Sequence, residues 1–416
     1  MSIGDELLCG RIASPTCFWA ARELSRAGYR IAEIVTVGDN RSQIILHLKR
    51  LLDQVDFVIT SGGLGPTEDD LTNEAVAEAL GLKLRLFPEI LSRIRQNERT
   101  QGLSPNSLRD RMAHLPEGAI PLSEDQAVAG YLLKYNRKHL FCLPGVPEQF
   151  RKLLRTKVLP YLWGQLAPKE TFYTRTLRFF DLREAEINRA VKQILGGDLE
   201  VGFYPVFPEV QLTVTARGKS ESEAQERVLE AVAKIRALFP EHIFGEDEEE
   251  LPAVLGRLLA QKGYTLSVAE SCTGGLMASL ITRIPGSSEY FRGGSVTYAN
   301  EAKIEVLSVP GRFIRLFGAV SREVALAMAE GARRRFETDF ALSVTGIAGP
   351  GGGSPEKPVG TVWIGLATPT DTVARRFLFP GSRHEIQTLT AYTALDWLRR
   401  YLLFGNLNPR YRFGCE

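Results

Sequence analysis

The chain is poor in the residues that build disulfide frameworks and zinc sites. Its 416 residues include 5 cysteines and 5 histidines. The cysteines are widely scattered, with no paired metal-ligand spacing, at Cys9, Cys17, Cys142, Cys272 and Cys415. Reduced thiols are the simplest interpretation. No histidine stands in a context that suggests a Ser-His-Asp triad, so any serine nucleophile here needs a different base.

An excess of charge of one sign is also lacking. Lys and Arg number 51 against 49 Asp and Glu, so the overall balance gives no sign of a nucleic-acid or anionic-membrane partner. No apolar run approaches the about 20 residues that span a bilayer, and the polar, acidic N-terminus has no signal-peptide layout. We therefore expect a cytoplasmic protein that acts on a small molecule, with no membrane or nucleic-acid partner.

Short apolar runs alternate with amphipathic helical stretches at both ends of the chain, for example residues 18–27 before residues 31–37. This alternation predicts an α/β fold in which helices cover parallel sheets. Between the ends the pattern changes. Residues 210–216 alternate like a half-buried strand, and residues 220–238 predict a long charged helix with Ser220 as its cap.

The most informative segment is a strand-to-helix junction. The apolar residues 264–268 lead into Ala-Glu-Ser-Cys-Thr-Gly-Gly at residues 269–275. Glycines let the backbone approach a ligand, and the free N–H groups of a helix start favour negative charge. Ser271 is therefore a candidate nucleophile, and the N–H groups near Gly274 and Gly275 are candidate donors to an oxyanion.

Two other interpretations of this junction stay open. Ser271 or Thr273 can simply cap a helix over residues 276–283. Cys272 adjoins the serine and can compete as the nucleophile, or it can be a small buried filler.

A second predicted strand, residues 293–298, precedes a helix start at residues 299–303. If both strands belong to one parallel sheet, their carboxyl ends share an edge and Ser271, Tyr298 and Lys303 converge in one crevice. A desolvated lysine loses its proton readily and can then accept one from a serine hydroxyl. The alternative for Lys303 is an ordinary solvated lysine.

A third strand, residues 340–344, runs into the glycine-rich residues 345–354. A glycine loop alone can be a flexible connection. Three such junctions in one region favour a shared site.

The motifs ESCTGG, YANEAK, GAVSREVA and SVTGIAGPGGGS, in this order and spacing, resemble the C-terminal domain of the CinA family, which also occurs alone as the deamidase PncC. The resemblance covers about residues 250–405. It implies hydrolysis of the carboxamide of nicotinamide mononucleotide to nicotinate mononucleotide and ammonia, in pyridine nucleotide recycling, with no cofactor. It also implies catalytic roles for Ser271, Lys303 and Tyr298.

The same resemblance implies a substrate-binding loop at Thr345 and Gly346 and places Arg383 near the substrate phosphate. The alternative for Arg383 is a plain surface arginine.

The front of the chain carries a separate signal. A short strand at residues 56–60 leads into Ser-Gly-Gly-Leu-Gly-Pro-Thr-Glu-Asp-Asp-Leu-Thr at residues 61–72. The glycines allow a tight loop against an anionic ligand, and Pro66 and Thr67 are expected to begin a helix with an acidic first turn. Those acids can complement the helix dipole, or they can hold a divalent metal. The candidate phosphate and metal residues are Gly62, Gly63, Gly65, Thr67, Asp69 and Asp70, with Asp69 and Asp70 as the metal ligands.

The glycine segment, with SIGDELL and LPGVPE, resembles the N-terminal domain of CinA, which shares the molybdopterin-binding fold of MogA and MoeA. The resemblance covers about residues 1–165 and implies a metal-dependent ADP-ribose pyrophosphatase. Three family patterns are altered, at residues 108–111, 126–130 and 181–185, so this activity stays open while the fold is expected to survive. A lost glycine closes space that a phosphate would use.

The middle residues, about 170–248, resemble the small KH-like module of CinA without its Gly-x-x-Gly clamp, so we interpret this module as structural. The expected architecture is α/β, with a molybdopterin-binding-like α/β domain, a small α+β module and a C-terminal α/β amidohydrolase domain. We expect a homo-oligomer. A further alternative is a non-catalytic pterin-binding or competence accessory protein.

Overall fold

The computed structural model describes residues 1–104, 106–123, 130–168, 171–196 and 198–415. The chain divides into an N-terminal unit, Met1–Phe172 with Gly218–Glu221, and a C-terminal unit, Tyr173–Arg217 with Ser222–Glu416. Nowhere in the described part of the chain does a helix have the length and apolar character needed to cross a bilayer.

The N-terminal unit is built on a mixed sheet with helices on both faces. The strands of this unit are β1 (Ser2–Ile3), β2 (Thr36–Val37), β3 (Phe57–Ser61), β4 (Leu84–Leu86), β5 (His114–Pro116), β6 (Ile120–Pro121), β7 (Tyr131–Tyr135) and β8 (Lys138–Leu143). Of these, β4 and β5 form a separate two-stranded sheet. The helices of this unit are α1 (Asp5–Leu8), α2 (Pro15–Arg26), α3 (Arg41–Gln54), α4 (Thr72–Leu80), α5 (Pro88–Thr100), α6 (Ser107–Asp110), α7 (Pro147–Leu153) and α8 (Leu159–Gln165).

The strand order of this sheet is β2-β1-β3-β8-β7-β6, parallel from β2 to β8 and antiparallel at β7 and β6. Successive residues of β8 serve opposite faces, as a strand buried on both sides requires. Leu140 packs with the cluster that includes Leu48 of α3, whereas Phe141 packs with Phe150 of α7. The expected α/β fold is therefore present. The altered family pattern at residues 126–129 lies outside the described residues.

The C-terminal unit contains two sheets. The middle sheet consists of β9 (Thr171–Phe179), β10 (Glu200–Val206), β11 (Glu209–Gly218) and β12 (Ile243–Glu246), in the order β10-β11-β9-β12, with α9 (Glu184–Ile194) and α10 (Glu221–Leu238). One side of the sheet packs against the apolar faces of both helices. For example, Leu212 of β11 packs with Ile187 of α9 and Val228 of α10. This arrangement is the expected α+β module.

Asp181 shows how this module tolerates one altered family pattern. It replaces an expected glycine yet keeps a left-handed backbone with φ 66°, a conformation that Asp adopts more readily than most residues. Its carboxylate accepts the backbone N–H of Arg412 at 3.0 Å.

The second sheet of this unit, the C-terminal sheet, positions the candidate site. Its strands are β13 (Leu266–Glu270), β14 (Phe291–Val296), β15 (Phe340–Gly346), β16 (Thr361–Ala367), β17 (Thr372–Leu378) and β18 (Gly414–Cys415). The helices around it are α11 (Leu251–Lys262), α12 (Leu276–Thr282), α13 (Asn300–Leu307), α14 (Gly311–Phe317), α15 (Arg322–Arg335) and α16 (Arg383–Phe404).

The strand order is β14-β13-β15-β16-β17-β18. The strands β14, β13 and β15 are parallel, as expected, and the rest are antiparallel. One face packs against α11, α12 and α16 through residues such as Leu255, Met277 and Trp397, and the other packs against α15 through residues such as Met328.

Candidate active site

The parallel strands end at one edge of the C-terminal sheet. Glu270, the last residue of β13, lies opposite Val296 of β14 and Val344 of β15. Side chains that follow these positions therefore meet at the same edge. A cavity of about 220 Å³ lies there, lined by Ser271, Cys272, Tyr298, Asn300, Lys303, Ala319, Val320, Thr345, Gly346, Ala348 and Arg383.

Ser271 and Lys303 form a buried pair in this cavity. The Lys303 Nζ lies 3.1 Å from the Ser271 Oγ. Lys303 is 1% exposed and Ser271 is 7% exposed. Burial lowers the pKa of Lys303, since the charged ammonium loses its water. No carboxylate forms an ion pair with this lysine in the described residues.

Two backbone carbonyls complete the hydrogen bonds of Lys303. Its Nζ also lies 2.8 Å from the carbonyl oxygen of Thr297 and 3.1 Å from that of Tyr298. A neutral amine has two N–H groups and one lone pair. Because a carbonyl can only accept, two N–H groups serve the carbonyls, and the third position of the nitrogen, an N–H in the ammonium or a lone pair in the neutral amine, faces the Ser271 hydroxyl. In its neutral form this amine lies within reach of the serine proton, as the predicted general base requires.

The start of α12 is capped by a residue that sequence reasoning missed. Glu270 is fully buried. Its carboxylate accepts the N–H groups of Gly275 at 3.0 Å, Met277 at 3.1 Å and Ala278 at 2.8 Å. An acid directly before a glycine turn and a helix was the available signal, since carboxylates favour helix starts.

This cap corrects two expectations. Neither Ser271 nor Thr273 caps α12 through its side chain, because the N-cap residue is Gly275. The N–H of Gly274 already serves the Ser271 carbonyl and that of Gly275 serves Glu270, so neither is free for an oxyanion. These two glycines do not line the cavity. Their positive φ angles, 63° and 101°, instead explain why glycine forms the turn.

Two other N–H groups lie nearer to Ser271 along the chain. Those of Cys272 and Thr273 donate to no carbonyl or carboxylate within the described residues. Gln387 of α16 donates through Nε2 to the Cys272 carbonyl at 2.7 Å and so fixes this peptide. No local pattern reveals Gln387, which is distant in sequence.

The thiol of Cys272 is unsuited to nucleophilic attack. The residue is 4% exposed, and burial raises the pKa of its thiol to about 12. A thiolate is the nucleophilic form of cysteine, so the geometry favours the filler interpretation.

Tyr298 and Arg383 lie at the rim of the cavity. The Tyr298 side chain is 61% exposed, and its hydroxyl accepts a hydrogen bond from the Arg383 guanidinium at 3.0 Å. Arg383 also donates to the Gly349 carbonyl at 2.7 Å. Tyr298 therefore contacts the Lys303 amine through its backbone carbonyl, while its phenol faces the arginine.

Thr345 and Gly346, at the end of β15, line the cavity. The Thr345 hydroxyl donates to the Ala319 carbonyl at 2.8 Å. A Cβ on Gly346 would lie 2.6 Å from the Val362 side chain, so glycine is required by packing. The structure thus brings together Ser271, Lys303, Tyr298, Thr345, Gly346 and Arg383, whose roles stay predictions. Besides Glu270 and Gln387, sequence reasoning missed Thr297 and Asn300.

The N-terminal glycine loop lines a different cavity, of about 350 Å³. Of the predicted residues, Gly62, Gly63, Gly65, Asp69 and Asp70 line it. The sequence predicts a helix that begins at Pro66. This prediction is wrong, because α4 begins at Thr72. Thr67 donates both its N–H and its hydroxyl to the Asp70 carboxylate, and that contact holds the intervening turn.

The cavity beside this loop is rich in acids. Glu6 and Asp39 add two further carboxylates to the cavity wall, and burial together with nearby acids raises the pKa of Asp39. Across the described ranges, no group of three or more His, Cys, Asp or Glu side chains could hold a metal ion. The divalent metal expected at Asp69 and Asp70 stays a prediction, and we derive no step through one.

Known proteins match the chain along its whole length. Family models match residues 1–163 (probable molybdopterin binding domain), 174–245 (damage-inducible protein CinA KH domain) and 248–402 (CinA C-terminal domain). A CinA-like protein of Desulfotalea psychrophila is 45% identical over 97% of this chain and 98% of its own length. A CinA-like protein of Syntrophus aciditrophicus is 41% identical over 98% of both chains.

A solved structure is also similar. The competence/damage inducible protein CihA of Agrobacterium tumefaciens is 43% identical, with a TM-score of 0.35, over 36% of this chain and 95% of its own.

Proposed function

The chain belongs to the CinA family, and from this premise we propose that its C-terminal cavity hydrolyses the carboxamide of nicotinamide mononucleotide, giving nicotinate mononucleotide and ammonia. The observation that carries the proposal is the buried Ser271–Lys303 pair at 3.1 Å. A serine alone is a weak nucleophile, and this lysine, with a lowered pKa, is placed to take its proton.

The reaction follows from the contacts of the pair. Lys303 accepts the Ser271 proton as Oγ attacks the carboxamide carbon and forms a tetrahedral oxyanion. We assign the N–H of Cys272, next to the nucleophile, as a donor to that oxyanion. The protonated Lys303 then gives its proton to the leaving nitrogen, the C–N bond breaks and ammonia departs.

The acyl group remaining on Ser271 is released by water. Lys303, neutral again, takes a proton from the water as the water oxygen attacks the ester carbon. Return of that proton to Oγ frees the serine and releases the carboxylic acid, which loses its own proton to water and becomes nicotinate. The transfers at the serine, the leaving nitrogen and the attacking water all use the one amine.

The dimensions of the cavity suit part of a nucleotide. At about 220 Å³ it is smaller than the ~300–1,000 Å³ typical of pockets that enclose a whole drug-sized ligand. The nicotinamide ring, which carries the carboxamide, can enter the cavity while the ribose phosphate stays at the cavity mouth. Arg383 lies at the rim, where its planar fork can bind phosphate oxygens in place of its present partners.

The test is turnover of nicotinamide mononucleotide, with products separated by chromatography and ammonia measured enzymatically. We expect Ser271→Ala and Lys303→Met each to lower kcat by about a thousandfold or more, as removal of a nucleophile or its base does in serine hydrolases. Lys262→Met, at an exposed lysine of α11, is the matched control. Full activity in both site variants would show that the site is wrong, and an inactive wild type would dismiss the substrate.

Other expectations stay predictions. These are the ADP-ribose pyrophosphatase of the N-terminal domain, the pterin-binding or accessory role, the division at residues 1–165, 170–248 and 250–405, and the homo-oligomer.

A further inference from the structure

One wall of the cavity is a short segment, residues 318–320, between α14 and α15. We call it the wall segment. Ala319 and Val320 line the cavity. Each of its carbonyls accepts a hydrogen bond from a side chain, namely Gly318 from the Ser321 hydroxyl at 2.8 Å, Ala319 from the Thr345 hydroxyl at 2.8 Å and Val320 from the Lys357 ammonium at 2.7 Å.

Lys357 makes the charged contact of this set. Its Nζ also donates, at 2.8 Å, to the carbonyl of Phe317, the last residue of α14. An ammonium at a helix C-terminus complements the helix dipole and satisfies a carbonyl that the helix leaves unpaired. Throughout the described chain no carboxylate forms an ion pair with Lys357, so its ammonium serves these two carbonyls.

The lysine is itself held in place. Its N–H donates to the Ser354 hydroxyl at 3.1 Å, and the Ser354 N–H donates to the Lys357 carbonyl at 2.9 Å. The same glycine-rich loop is bound at its other end, where the Gly349 carbonyl accepts from Arg383. The loop therefore connects the rim of the cavity to the wall segment, and Lys357 is its charged link to that wall.

We infer that Lys357 is a positioning residue that fixes the wall segment of the cavity and so sets the width of the cavity for the substrate ring. The inference rests on the proposed function. Lys357 does not line the cavity, so it cannot touch the reacting atoms. Lys303 is held by the carbonyls of Thr297 and Tyr298, which do not belong to the wall segment, so loss of Lys357 should leave the catalytic pair in place.

The effect should therefore appear in substrate binding. In Lys357→Met we expect KM for nicotinamide mononucleotide to rise about tenfold, as expected when a charge-assisted hydrogen bond that fixes a binding surface is lost. The kcat should stay within about twofold. Lys357→Arg, which keeps the charge and can reach both carbonyls, should recover most of the KM. Lys262→Met should change neither constant.

Hydrogen exchange gives a readout that needs no turnover. The N–H of Gly318 donates to the Ile314 carbonyl and that of Val324 to the Ser321 hydroxyl, so peptides over residues 312–325 report on the wall segment. We expect faster exchange there in Lys357→Met and wild-type exchange in Lys262→Met.

The outcomes separate this inference from the proposed function. Unchanged exchange in Lys357→Met overturns the positioning role whether or not the nucleotide is a substrate. Faster exchange with unchanged KM, or a loss confined to kcat, also overturns it. If the wild type does not turn over the nucleotide, the proposed function fails, and the exchange comparison alone decides whether Lys357 holds the wall.

Discussion

Glu270→Gln is the sharpest test of how the nucleophile turn is held. The wild-type carboxylate uses Oε2 for the N–H groups of Gly275 and Met277 and Oε1 for that of Ala278. Glutamine has nearly the same shape but only one acceptor oxygen. If that oxygen keeps the first two contacts, the amide nitrogen must face the Ala278 N–H, and two donors then oppose each other.

The expected cost follows from these contacts. A buried N–H without a partner costs about 1–3 kcal/mol, and loss of the negative charge at a helix N-terminus adds about 0.3–1 kcal/mol. Relief from burying a charge works in the opposite direction. We therefore expect the free energy of unfolding of the C-terminal unit to fall by about 2 kcal/mol.

Urea unfolding followed by tryptophan fluorescence measures this change, because the fully buried Trp397 contributes to the signal. Glu301→Gln is the matched control. Glu301 is an exposed acid in the first turn of α13, and its loss should change stability by less than about 0.5 kcal/mol. Equal stability of Glu270→Gln and wild type would refute the capping role. The proposed deamidase activity should fall with stability, since the same turn carries Ser271.

Two further predictions concern ionisation in the cavity. Because burial lowers the pKa of Lys303, the neutral base should accumulate as pH rises through that pKa. The kcat/KM should then rise to a plateau, with a midpoint below the about 10.4 of an ordinary lysine. Lys303→Arg, which stays charged, should remain inactive across this range, and a pH-independent wild-type rate would contradict the base assignment. Cys272→Ala should keep kcat within about threefold of wild type, and iodoacetamide should leave the wild-type thiol unmodified near neutral pH, because its pKa is raised to about 12. A loss as large as that of Ser271→Ala would instead assign the chemistry to the thiol.

The sequence was sufficient to place the main site elements because the edge of a parallel sheet is a strong constraint. Strands followed by Ser271, by Tyr298 and by the loop after Val344 must end together if they are parallel, and they do. This rule is independent of side-chain detail.

Side-chain direction was harder to predict. Sequence order does not show which of Glu270, Ser271 and Thr273 turns towards the start of α12. The carboxylate takes that position because three N–H groups at the helix start need acceptors. Likewise the acids after Pro66 suggested a helical first turn, whereas Asp70 instead binds the N–H and hydroxyl of Thr67. Short polar side chains compete with the helix in this way.

The surroundings of Lys303 suit its proposed role as a general base. A carboxylate next to the amine would orient it but would also raise its pKa and keep it protonated. Backbone carbonyls orient the amine with partial charges only, and those of Thr297 and Tyr298 follow β14 directly, where the sheet fixes them. The lack of an ion pair to Lys303 among the described residues is therefore part of its proposed chemistry. Introducing an acid within reach of this amine, as in Asn300→Asp at the cavity wall, would raise the pKa of Lys303 and move the rising limb of the pH profile to higher pH.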